Sequence, residues 1–208
     1  MYKQSSARVR LLLTSASLFI VFLLALIIMG TIALNGEVSY NDSPKGCLLY
    51  MTVDGKSPAF INSYCQFPII GAGVISVFAL LFLGYCTAVL HRYDEYLPSL
   101  TSQILMGIAV IMSLFSFTLC GEIGIGLNIG CRSVTSGKGM SQCQAAVDNY
   151  GALSTAQVCA GLMGGFWLVG FVTEYIQLKQ QPVYDDSVDP YHNQQQQQEY
   201  DHTQAQYA

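Results

Sequence analysis

The stretch Leu11 to Leu34, LLLTSASLFIVFLLALIIMGTIAL, runs for 24 residues without a charged side chain. As a helix at about 1.5 Å per residue it reaches roughly 36 Å, more than the roughly 30 Å of a bilayer's hydrocarbon core. A secretory signal peptide has a similar basic start, but its apolar core is only about 7 to 15 residues long. The length therefore argues for a retained first span. Lys3, Arg8 and Arg10 precede it with no acid among them, and basic residues before a first span hold that end in the cytoplasm.

Working outward, three further segments have the same character: Pro68 to Leu90, Ile104 to about Leu127, and Leu153 to Ile176. With 52% hydrophobic and 11% charged residues, against about 25% charged in soluble domains, the chain is composed for a bilayer. The expected fold is an all-α membrane protein: a left-handed four-helix transmembrane bundle. A cytoplasmic N-terminus, 1–10, leads into the bundle, 11–179, and a tail, 180–208, follows. The net charge of −4 comes from that tail, which holds Asp185, Asp186, Asp189, Glu199 and Asp201 and no Lys or Arg. No basic footprint for nucleic acid is present.

Loop one, Asn35 to Phe67, carries the turn-formers Asn35-Gly36, Ser43-Pro44 and Asp54-Gly55 and is expected to fold over in short turns. Asn41-Asp42-Ser43 has the letters of an N-glycosylation site, with Asn41 as acceptor, although Pro44 directly after it argues against use. His91 to Pro98 forms the short turn after span two, and loop two runs from Asn128 to Ala152. The tail, with five consecutive glutamines and Tyr184, Tyr191, Tyr200 and Tyr207, cannot bury a core and is expected to be disordered. Tyr184 and Tyr200, each beside acids, are candidate phosphorylation sites.

Four of the seven cysteines, Cys47, Cys65, Cys131 and Cys143, fall in the two loops, and three, Cys86, Cys120 and Cys159, fall in the spans. An even set facing one compartment indicates its oxidising side, so both loops are read as outer and both termini as cytoplasmic. In-loop pairing, Cys47 with Cys65 and Cys131 with Cys143, closes loops of about 12 to 18 residues, worth roughly 3 kcal/mol each. In-loop pairing is therefore the expected set, and cross-loop pairing is the alternative, since sequence alone does not assign connectivity.

Small residues four apart, Gly126 with Gly130, Ala160 with Gly164 and Gly161 with Gly165, permit close helix approach, inside the bundle or between copies. The glycines from Gly121 to Gly130 lack the spacing of a nucleotide loop. Glu122 and Glu174 are the acids within the spans. Each lies near a span end, where interfacial water is expected to reach it. The three histidines, His91, His192 and His202, lie in the turn and the tail, and no catalytic, cofactor or metal-ligand arrangement is expected.

Gly46-Cys47-Leu48-Leu49-Tyr50, Cys65-Gln66-Phe67 at the start of span two and the Cys131/Cys143 loop resemble the transmembrane protein 179 family. The Asn35-Gly36 exit from span one and the acidic, Tyr- and Gln-rich tail resemble the synaptogyrin and synaptophysin group with its MARVEL-type bundle. The resemblance implies residence and trafficking in vesicle membranes. Claudin-like families carry a Trp in the first outer loop, and this loop has none. The expected role is a non-enzymatic tetraspan protein of vesicle or plasma-membrane organisation, or an auxiliary subunit of a larger membrane complex. Its partners would be membrane lipids, a membrane protein or a second copy, and cytosolic proteins on the tail. The alternative is an oligomeric channel or transporter subunit.

Overall fold

A computed structural model describes residues 2–38, 46–54, 57–59, 63–91, 99–135 and 149–180. Residues 1–178 form a compact unit, and of a second unit, Lys179–Ala208, the described part is the end of the last helix. Asn41, Cys143, Tyr184, Tyr200 and the remainder of the tail lie outside the described residues.

Four long helices carry the fold: α1 (Tyr2–Asn35), α2 (Ser63–His91), α3 (Ser99–Val134) and α4 (Tyr150–Gln180). Each contains a segment long and apolar enough to cross a membrane. They close into a ring. Helix α1 lies along α2, and α2 meets α3 where the Phe67 and Phe115 rings make an edge contact at 6.3 Å. Helix α3 meets α4 where the Ser113 hydroxyl donates to the Gly164 carbonyl at 3.0 Å. The ring is completed where Ser17 of α1 donates to the Phe166 carbonyl of α4 at 2.7 Å.

Burial follows one rule on all four helices. The enclosed positions recur at alternating intervals of three and four: 18, 21, 25, 28 and 32 on α1; 65, 68, 72, 75 and 79 on α2; 153, 156, 160, 163 and 167 on α4. On α3 the series runs from 102 through 105, 109, 112, 116, 119, 123 and 126 to 130. A mean spacing of 3.5 is the seam of left-handed supercoiling. The opposite faces present Leu12, Phe19, Leu81, Ile111, Leu114 and Leu162, an apolar exterior that suits lipid.

Two features depart from the sequence reading. Helix α3 continues through Asn128, Gly130 and Cys131 to Val134, so the first seven residues assigned to loop two are helical. At about 54 Å it outruns the hydrocarbon core, and its last turns support the loop packed against them. The all-α description also needs amending within loop one. Strands β1 (Glu37–Val38) and β2 (Gly46–Cys47) pair antiparallel with Glu37 opposite Cys47. Strands β3 (Thr52–Asp54) and β4 (Ser57–Ala59) pair with Thr52 opposite Ala59. Ser43-Pro44 falls between β1 and β2, and Asp54-Gly55 begins at the last residue of β3; Asp-Gly at a short hairpin is a strong sequence signal.

Candidate functional site

Between the two hairpins lies Leu48-Leu49-Tyr50-Met51, and this tetrad closes one end of the bundle. Leu48, Leu49 and Met51 are fully enclosed, which is unusual for a connecting loop. A buried loop must satisfy its backbone polar groups. The Leu48 N–H donates to the Gly36 carbonyl at 2.9 Å, the Tyr50 N–H to the Gly126 carbonyl at 3.1 Å, and the Met51 N–H to the Leu48 carbonyl at 3.2 Å. Tyr50 takes a left-handed backbone conformation, φ 62°, which is uncommon for a bulky side chain and aims its ring along α3.

The seat for this tetrad is the continuation of the α3 seam. At positions 126 and 130, where the series of enclosed residues would bring in another side chain, the sequence has glycine. A Cβ on Gly126 would stand 2.7 Å from the Tyr50 ring, and one on Gly130 would overlap the Leu48 carbonyl oxygen. Gly130 therefore admits the loop backbone and Gly126 the Tyr50 ring, so their neighbour is the loop and not the helix that the spacing suggested. The Tyr50 hydroxyl donates to Glu122 Oε2 at 2.8 Å, and its ring lies 4.3 Å from that of Tyr64 on α2. Burial first, and then the bond to Glu122, push the Tyr50 phenol up to about 12. The Cys47–Cys65 disulfide ties β2 to the first turn of α2. Cys131, enclosed on α3, is also disulfide-bonded, and Cys143, the partner expected for it, lies outside the described residues.

At the opposite end, three helices converge on one carboxylate. Glu174 of α4 is 1% exposed, so the expectation that interfacial water reaches it is overturned. Ser102 of α3 donates to Glu174 Oε2 at 2.6 Å and Thr14 of α1 to Oε1 at 3.3 Å. Thr14 Oγ1 also lies 2.9 Å from Thr173 Oγ1, and Thr173 donates to the Gly170 carbonyl at 2.8 Å. The chain enters this position because Ser102 continues the α3 seam and Glu174 the α4 seam, seven residues beyond Trp167.

The remaining small residues divide. Ala160 is a fully enclosed seam position. Gly164 faces Phe117 of α3, whose ring would be 3.0 Å from an added Cβ, and Gly161 faces Cys120 Sγ at 3.5 Å. Gly165 has nothing within 4 Å of that position. Sequence reasoning missed the Leu48–Met51 cap and the set formed by Thr14, Ser102, Thr173 and Glu174. An apolar tetrad inside a polar loop was the available signal for the first, and a serine on the seam spacing for the second.

Compared with protein-family models, with curated proteins and with solved structures, the chain matches none.

Proposed function

We propose that this chain is a non-enzymatic tetraspan membrane protein, working through its outer surfaces in the organisation of vesicle or plasma membranes or as an auxiliary subunit of a larger membrane complex. The observation that carries this reading is the filling of the bundle. Enclosed side chains occupy the seam of all four helices, and the protein's own loop closes one end. What is left for other molecules is the apolar exterior of the helices, the two hairpins and the tail. Both termini are assigned to the cytoplasm from Lys3, Arg8 and Arg10, which precede the apolar run of α1, and from the oxidised cysteines at the other end.

The test is extraction of the full chain from its native membrane in mild detergent, followed by identification of what co-purifies and reconstitution of the chain alone into liposomes. One membrane protein retained in fixed proportion, with no ion flux through the liposomes, is the expected result. Flux through liposomes that contain only this chain would replace the reading with that of a channel or transporter subunit.

A further inference from the structure

The Cys47–Cys65 disulfide holds two points of loop one together, 18 residues apart in sequence, at a Cα separation of 5.8 Å. Around this pin the chain is tied to the first two helices. Cys65 lies in the first turn of α2, and the Leu48 N–H donates to the carbonyl of Gly36, the residue after α1. Beyond Leu48 the chain turns onto α3, and there the attachment is different in kind. Two hydrogen bonds, both from Tyr50, hold it: the N–H to the Gly126 carbonyl at 3.1 Å and the hydroxyl to Glu122 Oε2 at 2.8 Å. Strand β3, which follows, also lies against α3. The α3 positions under Leu48 and Tyr50 are Gly130 and Gly126, so no side chain at either one interlocks with the loop. Tyr50 is in the left-handed region, φ 62°, where a bulky residue stays only while its surroundings impose it. Leaving α3 breaks two hydrogen bonds and lets this backbone relax, whereas leaving α2 would break a covalent bond. Against opening stands the enclosure of Leu49 and Met51, apolar area that the open form gives up. The closed form is therefore the ground state, and the open form is a minor population above it.

We propose that residues 49–54 form a lid that pivots at Leu48, is latched to α3 by Tyr50, and opens while the four helices stay packed. The weaker attachment decides the line of opening, which runs between the loop and α3. Opening uncovers Leu49, Met51 and the Gly126 to Gly130 stretch of α3, and it leaves Leu48 bonded to Gly36. The disulfide holds the base of the lid in place, so reclosing needs no search by a longer free loop. The lid is a property of the fold and stands apart from the role assigned to the outer surfaces.

Two hydrogen-bonded amides separate the pivot from the latch: the Leu48 N–H is held by Gly36 and the Tyr50 N–H by Gly126. The experiment follows backbone amide exchange residue by residue, by NMR on the full chain in mild detergent, with rates corrected for intrinsic exchange. Leu119 and Ile123, fully enclosed on α3, report the bundle. The expected result is a Tyr50 amide that exchanges at least roughly tenfold faster than those of Leu48, Leu119 and Ile123. In Tyr50→Phe, which keeps the ring and removes the hydroxyl, exchange at position 50 should rise roughly tenfold further while the other three amides stay as they were. A Tyr50 amide as slow as Leu119 and Ile123 overturns the proposal, because the loop then opens only with the whole bundle. Leu48 and Tyr50 exchanging together, ahead of α3, overturns it as well, because the loop then leaves both sides and has no pivot. A Tyr50→Phe chain in which position 50 is unchanged, or in which Leu119 and Ile123 quicken as much as position 50, removes Tyr50 as the latch. Should that variant fail to fold, the comparison of the three sites in the wild type decides.

Discussion

Tyr50 and Gly130 show how much of this molecule rests on single positions. A methyl group on Gly130 has no room beside the Leu48 carbonyl, and overpacking of this kind costs about 1–3 kcal/mol. Gly130→Ala is expected to lower the unfolding midpoint by roughly 2–10 °C. Gly121 lies on the same helix with nothing within 4 Å of an added Cβ, so Gly121→Ala should leave the midpoint unchanged or raise it slightly through helix propensity. Trp167 fluorescence reads both. Tyr50 makes a prediction in pH. Its folded-state pKa of about 12 stands above the ordinary phenol value of 10.0, so the folded protein holds the phenolic proton more tightly than the unfolded chain does. That contribution is fully present below pH 10 and is lost as the pH climbs through about 12. Stability should therefore fall more steeply across this window in the wild type than in Tyr50→Phe, measured by denaturant unfolding at each pH.

At the scale of elements, the disulfide between Cys47 and Cys65 closes a segment of 18 residues that contains the cap. Replacing both cysteines by serine is expected to cost about 3 kcal/mol in the chain-entropy model, visible as a lowered unfolding midpoint. The hydroxyl bridges between helices, Ser17 to Phe166 and Ser113 to Gly164, should matter less, at about 0.6 kcal/mol each on substitution by alanine. The four helices were legible in the sequence because an apolar run of 24 residues has one stable form in a bilayer. Their ends were not. Asn128 reads as a loop residue by composition, yet it is helical because the cap docks on that part of α3. In the same way, Gly126 and Gly130 fit the spacing of helix contact, and only the folded chain reveals that their neighbour is a loop. Glu174 was visible as an acid within a span, but its burial was not. Thr14 and Ser102 were not visible as its partners, since they lie 160 and 72 residues away in sequence.

For the whole molecule, a filled bundle sealed at one end predicts that the purified chain alone conducts no ions, which liposome flux measures. The tie between loop one and α3 has a further consequence, for the order in which the protein is made. Leu48 to Met51 follow the first helix, but their seat is built from residues 126 and 130 of the third. Chains emerge and insert from the N-terminus, so after α1 and α2 have crossed the membrane this apolar tetrad has nowhere to go. Cys47 and Cys65 are by then on the same side of the membrane and free to pair, so the staple precedes the seat. A chain cut off at residue 98 should remain open to protease at Tyr50, while the full chain is resistant there. The glycines of α3 thus time the burial of the first loop, which is expected to stay exposed until the third helix has arrived.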